Sequence, residues 1–271
     1  MEPKIRDINN NSIRSFFVEM LFNNEVISSG TAFIAKTGGQ SQALLITNRH
    51  NVTGRNNDIG EYLSKTGGIP NKIKARIPNL EIANSGSEHV EFNSWRSYTI
   101  DLYFDEDFEQ PVWIEHPLKE EIDVVGIILN FTDFSIPEQL IYDISPGWYS
   151  WEVGETINVV GFPFGLSVNR FPVWMTGHIA SEPDINYDGL PMFLIDCRTR
   201  RGQSGSPVIG RFLPGRVVEY KGEKFRVQAE ITHLIGIYSG RINSESDLGK
   251  VWKTDAIREL LLNGIQAGKP I

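Results

Sequence analysis

The chain has 271 residues, with 34 acidic and 26 basic side chains and a net charge of −8. That balance argues against non-specific binding to nucleic acid or an anionic membrane, which wants a basic surface. A single cysteine, Cys197, excludes an intrachain disulfide, so the fold stands on its core alone. No apolar run approaches the ~18–20 residues of a membrane span. The opening Met1–Ser12 stretch lacks the apolar segment of a signal peptide. A soluble cytoplasmic protein is the expectation.

In chain order, residues 1–14 are polar and read as a loose lead-in or a short helix. Phe16 to Phe22 is apolar and aromatic. Gly30 to Ala35 and Ala43 to Thr47 read as strands joined by a turn at Lys36-Thr37-Gly38-Gly39-Gln40. Asn48-Arg49-His50-Asn51-Val52 follows the second of them directly. A short helix is predicted over 59–63, strands over 73–82 and 98–104, and a polar loop over 83–97. Pro111 to Pro117 reads as a connection, and Ile122 to Leu129 as a buried strand with one charge, Asp123, near its start. Residues 132–150, with Pro137, Pro146 and Gly147, read as the link between two halves. Short strands are then predicted over 156–161, 171–180, 190–196, 207–212, 216–219, 225–231 and 234–239, at the close spacing of all-β sandwiches and barrels. The end is helical: Ile257, Leu260 and Leu261 share one face, Thr254 or Asp255 can cap it, and Gly264 can stop it.

Three places carry chemistry. Gly202-Gln203-Ser204-Gly205-Ser206-Pro207 is a backbone-exposing loop that holds one hydroxyl outward, because Gly202 and Gly205 accept conformations that other residues avoid. Alone it reads as a turn. Acyl transfer from a serine also needs a base within hydrogen-bond reach and a third group to orient that base. The histidines are His50, His89, His116, His178 and His233; a structural role is the ordinary one for each, but His50 stands rigidly at a strand end. Asp123 enters apolar surroundings, where a carboxylate is costly unless something donates to it. Asp101 is its rival. The lack of a His-Glu-x-x-His run or a cysteine pair argues against a metal enzyme, and no cofactor is expected. No phosphate-cradling Gly-x-x-x-x-Gly-Lys-Ser/Thr run occurs.

These motifs resemble those of the chymotrypsin-like serine proteases, in particular the bacterial HtrA-type branch. Gly30-Thr31-Ala32-Phe33-Ile34 and Thr47-Asn48-Arg49-His50-Asn51-Val52 match the pattern around the family's base. Asp123-Val124-Val125-Gly126-Ile127 matches the strand that its acid opens, and Gly202 to Pro207 the nucleophile motif. Val159-Val160-Gly161-Phe162-Pro163-Phe164-Gly165 resembles a turn of the bacterial branch. The order His, Asp, Ser is the family's, and the resemblance runs from about residue 16 to 252. Gln203 stands where many animal relatives have Asp, so their activation by a newly cleaved N-terminus is not expected. No PDZ-like segment follows residue 252.

The resemblance implies an all-β fold of two antiparallel six-stranded barrels with a C-terminal α-helix. The first barrel, 1–140, would carry His50 and Asp123; the second, 141–252, Ser204; and residues 253–271 would pack on both as the helix. It implies a serine endopeptidase acting on a polypeptide. His50 would be the base, Asp123 its orienter, Ser204 the nucleophile, and the Gly202 and Ser204 N–H groups the oxyanion hole. Tyr238, Ser239 and Gly240 would bind extended substrate, and Arg198 would face its P1 side chain. With Arg200, Arg201 and Arg241 nearby, that suggests a preference for Glu or Asp at P1, unless these arginines are solvated or paired with acids. The alternatives are an esterase using the same trio and a protease-fold binding protein without catalysis.

Overall fold

A computed structural model of the chain describes residues 8–38, 42–64, 67–82, 90–129, 136–145, 150–220 and 223–268. The first half opens with helix α1 (Asn10–Ile13), then β1 (Phe16–Phe22), β2 (Glu25–Lys36), β3 (Leu44–Thr47) and the one-turn helix α2 (Arg49–Thr53). It continues with β4 (Lys72–Ile82), β5 (Val90–Asp101), β6 (Trp113–Glu115), β7 (Val125–Ile128) and β8 (Ile141–Asp143). The second half holds β9 (Thr156–Gly161), β10 (Val173–Ile179), β11 (Met192–Asp196), β12 (Pro207–Phe212), β13 (Val217–Tyr220), β14 (Glu223–Arg226), β15 (Ile231–Arg241) and β16 (Leu248–Lys253). Helix α3 (Thr254–Asn263) and β17 (Ile265–Gln266) follow.

The protein is mostly β, as the sequence indicates. Strands β10-β11-β16-β15-β12-β9 close into a six-stranded barrel. The first half forms the second sheet of a fold consistent with the expected double barrel. Among the described residues it is one nine-stranded sheet, ordered β17-β6-β7-β3-β2-β1-β4-β5, with β8 paired to β2. The β2–β8 pairing is parallel, Ile34 to Lys36 against Ile141 to Asp143. β17, at the chain's end, returns to pair with β6.

Where the sequence reading and the structure part, a local reason is visible. Residues 90–97 were expected in a polar loop, yet they form the first part of β5, which pairs with β4 over most of its length. Residues 59–63 are not helical; Gly60 N–H donates to the Asn56 carbonyl, and the Asn56 side chain accepts from the Asp58 and Ile59 N–H groups. The 132–150 link contains β8, whose three residues are too few to show a period. β16 was not anticipated because Gly249 and two lysines interrupt its apolar pattern, although Gly249, Val251 and Trp252 are buried. At α3 the capping position falls on Lys253, with Thr254 and Asp255 inside the first turn.

Packing follows the strand period. In β1, Phe16, Val18 and Met20 point inward while Phe17 and Glu19 are half-buried. One core lies within the first sheet, around Phe16, Ile34, Leu45 and Trp113. Another fills the barrel, around Val159, Ile195, Val208 and Val251. A third joins them: Phe33, Ile46 and Val124 of the first half meet Val160, Ile209 and Ile237 of the second. The apolar face of α3, through Ile257, Leu260 and Leu261, seals this joint. No helix among the described residues is long and apolar enough to cross a membrane.

Phe33 is fully buried in the joint and packs edge-to-face on Tyr142, with centroids 5.6 Å apart. Phe33→Ala is expected to lower the unfolding free energy by about 3–5 kcal/mol. In urea unfolding, fluorescence and far-UV circular dichroism are expected to give one shared transition; two separate transitions would show that the joint core does not couple the halves.

Candidate active site

His50 owes its place to the end of β3. The fully buried strand Leu44–Thr47 stops at Asn48, and a single helical turn follows, closed by Gly54 in the left-handed conformation at φ 67°. The Asn48 side chain is buried and donates to the Asp123 carbonyl at 2.7 Å. That bond ties the start of α2 to the segment leading into β7.

Asp123 lies just before β7 and is 3% exposed. Its carboxylate is fully engaged. Oδ1 accepts the His50 backbone N–H at 2.9 Å. Oδ2 accepts from His50 Nδ1 at 2.7 Å and from Ser239 Oγ at 2.5 Å. With Nδ1 donating, Nε2 is the ring nitrogen left to accept a proton. Ser239 comes from β15 at a register irregularity, where Tyr238 pairs with Val251 and Gly240 with Lys250. A bulge of this kind re-aims a side chain; here it turns the Ser239 hydroxyl onto Asp123. Ser239, expected among the substrate contacts, is thus also a donor to Asp123.

Ser204 sits in a loop of the barrel that leans on the first half. Gly202 has φ 91° and Gly205 φ 87°, where side chains are strained. A Cβ on Gly205 would stand 2.0 Å from the Thr31 carbonyl, and one on Gly202 would stand 2.4 Å from the Phe162 carbonyl. Four successive carbonyls of the loop have donors. Arg201 accepts from Phe164 N–H, Gln203 from Ser206 N–H and Ser204 from Thr31 N–H, while Gly202 accepts from Thr31 Oγ1. Among the described residues the N–H groups of Gly202 and Ser204 donate to no protein acceptor. Because a peptide's C=O and N–H point in opposite directions, the bond between Arg201 C=O and Phe164 turns the Gly202 N–H away from Phe164. The Gln203 side chain is buried and closes the loop by accepting the Arg200 N–H at 2.7 Å.

The trio is connected, though not in a direct chain. Ser204 Oγ donates to the Ser239 carbonyl at 3.4 Å, and no hydrogen bond joins it to His50. Ser239 therefore touches both Ser204 and Asp123. Asn51, next to His50 on α2, donates to the Ser204 carbonyl at 3.3 Å.

The other candidates fall elsewhere. Asp101 is exposed and faces Lys72 at 3.4 Å. His89 lies outside the described residues. His178 is exposed on β10, and His233 is half-buried on β15 against Phe212. His116 is buried, accepts the Leu118 N–H at Nδ1 and faces Glu259 of α3 through Nε2 at 3.2 Å. Arg198 and Arg201 are exposed, and Arg200 stands 3.5 Å from Asp247. Tyr238 is buried, with its hydroxyl 2.5 Å from Thr199 Oγ1. Burial pushes that phenol up to about 12, against the Thr199 bond and the charges of Arg241 and Arg200. No cluster of metal-ligating side chains occurs among the described residues.

No protein-family model and no curated protein matches the sequence. Solved structures do. The thermostable serine protease AL20 from an extremophilic microorganism is similar at a TM-score of 0.50 and 12% identity, over 93% of this chain and 97% of that one. The fold is that of a chymotrypsin-like serine protease. The active form of the Rv3671c protease from M. tuberculosis matches at 0.47 and 15% identity, over 96% and 84% of the two chains. The serine endoprotease from Yersinia pestis matches at 0.46 and 12% identity, over 97% and 69%.

Buried His116 and half-buried His233 set how stability follows pH. Burial holds the imidazoles of His116 and His233 below the usual 6.5, with Glu259 partly opposing this at His116. The unfolded chain therefore binds more protons than the folded one between the lowered value and 6.5. This contribution to stability is complete above pH 6.5 and is lost as pH falls through the lowered value. His116→Gln is expected to flatten the decline between pH 7 and 5 in urea unfolding; an unchanged slope would remove His116 from the account.

Proposed function

We propose that the chain is a serine endopeptidase. The observation that carries this reading is the doubly hydrogen-bonded His50–Asp123 pair, its carboxylate buried, joined to Ser204 through Ser239. In this reading the Ser204 hydroxyl rotates from the Ser239 carbonyl to His50 Nε2, a contact that often tightens only when substrate binds. His50 takes the Ser204 proton as Oγ attacks a peptide carbonyl. The carbonyl oxygen becomes an oxyanion beside the free N–H groups of Gly202 and Ser204. The tetrahedral intermediate collapses, the C–N bond breaks, and His50 gives its proton to the leaving amine. A water then attacks the acyl-enzyme, again losing its proton to His50, and Ser204 is regenerated. Asp123 holds the ring's tautomer and stabilises the imidazolium. Preorganised donors at an oxyanion are worth about 3–4 kcal/mol each.

The motif Gly161-Phe162-Pro163-Phe164-Gly165 supports placing the chain near the HtrA-type branch. For the substrate, Arg198 lies six residues before Ser204 and Arg241 two residues after Ser239, and both are exposed; this supports a preference for Glu or Asp at P1. A second reading, a protease-fold binding protein without catalysis, is favoured by one observation: the Ser204 hydroxyl rests on Ser239 rather than on His50.

Labelling with a fluorophosphonate probe separates the two. The wild type is expected to be labelled and Ser204→Ala unlabelled, while Asp123→Asn lowers kcat by roughly 10⁴-fold. Absence of Ser204-dependent labelling would leave the binding reading standing. In a peptide library varied at P1, cleavage is expected after Glu or Asp; a preference for Lys or Arg would overturn the acidic assignment.

A further inference from the structure

Thr31 of β2 belongs to the first half, yet most of its polar contacts reach the second. It is fully buried. Its Oγ1–H donates to the Gly202 carbonyl at 2.9 Å, and the same oxygen accepts the Phe162 N–H at 3.3 Å. Its backbone N–H donates to the Ser204 carbonyl at 2.8 Å. Its own carbonyl accepts from Thr47 Oγ1 at 2.9 Å, and Thr47 Oγ1 in turn accepts from Asn51 Nδ2 at 2.9 Å. One residue thus grips the nucleophile loop on either side of Gln203 and is tied back to the helix that carries His50.

The consequence is directional. With the carbonyls of Gly202 and Ser204 drawn onto Thr31, the loop between them cannot turn over without breaking buried hydrogen bonds. A buried carbonyl left without a donor is costly. The Gly202 and Ser204 N–H groups belong to the alternate peptides, whose carbonyls, those of Arg201 and Gln203, accept from the Phe164 and Ser206 N–H groups; Thr31 pins the peptides on either side of the one that carries the Ser204 N–H.

We propose that Thr31 is a positioning residue that holds the Gly202–Ser204 loop with these two N–H groups presented to the substrate carbonyl. This rests on the reading of that loop as the oxyanion site. The strand of the first half thereby sets the transition-state contacts of the second. Thr31 touches no reacting atom; it acts through the loop, so its loss is expected in kcat with KM little changed.

The test compares wild type with Thr31→Val, which keeps the volume and the backbone bond but removes both hydroxyl contacts. The readouts are peptide hydrolysis and hydrogen exchange of the 201–206 amides. Thr31→Val is expected to lower kcat at least tenfold, to leave KM within about twofold and to speed exchange of the loop. Thr31→Ser, which restores the hydroxyl, is expected to recover both. If the valine variant does not fold, Thr31→Ala against Thr31→Ser makes the same comparison, since both lack the methyl and differ only in the hydroxyl. A hydroxyl-free variant matching the wild type in kcat and exchange would overturn the proposal while leaving the protease reading intact. A wild type that neither cleaves peptides nor reacts with the probe would sink the protease reading, and the exchange comparison would still decide whether Thr31 holds the loop.

Discussion

The structure depends most on keeping one carboxylate buried. Asp123 is 3% exposed, and an ionised group at that depth is tolerated only when its oxygens are fully donated to. Its donors come from distant parts of the chain: the His50 backbone and ring from α2, and the Ser239 hydroxyl from β15. The bond to Ser239 crosses 116 residues of sequence. Satisfying Asp123 therefore requires both halves to be assembled, and the assembly fixes the histidine's tautomer as a by-product. A buried charge that contributes little net stability can still specify one arrangement; here that arrangement brings the imidazole and the serine loop to the same place.

The joint between the halves is apolar at its centre and polar at its site. Phe33, Ile46, Val160 and Ile237 bury the contact without directionality. The direction is supplied by hydrogen bonds that cross it: Thr31 to Gly202 and Ser204, Asn51 to Ser204, and Ser15 Oγ to the Val160 carbonyl. The apolar contact makes the halves stay together, and the polar contacts decide the register in which they do so.

Much of this was legible in the sequence. Ser204 stood in a loop whose glycines predicted left-handed backbone. His50 stood at the end of an apolar strand, and Asp123 was conspicuous as a charge in apolar company. Each signal was local. What stayed hidden was set by register between distant strands. Ser239 bonds Asp123 only because β15 carries an irregularity against β16, and β16 was itself masked by Gly249 and two lysines. Thr31 reads locally as an ordinary β-branched strand residue; its partner Gly202 is 171 positions away. The ninth strand of the first sheet was out of reach for a similar reason: three residues in a Pro-rich link carry no period. The same limits explain why Asp101 could rival Asp123 on sequence grounds, since nothing local distinguished a surface acid beside Lys72 from a buried one.

The nucleophile loop shows what this long-range bonding achieves. An isolated loop of this composition would satisfy its polar groups with water and sample many conformations. In the folded chain the carbonyls of Arg201, Gly202, Gln203 and Ser204 each have a donor, and two of those donors belong to Thr31. The N–H groups of Gly202 and Ser204 have no such acceptors among the described residues. Such an imbalance concentrates positive dipole on one side of the loop, as in the backbone concavities that bind anions. Gly202 and Gly205 make it possible, because their positive φ values turn the carbonyls inward where a Cβ would collide with the Phe162 or Thr31 carbonyl. The polarity of the loop therefore rests on two sets of bonds, those to Phe164 and Ser206 within the second half and those to Thr31 and Asn51 across the joint, and whatever loosens the joint removes the second set.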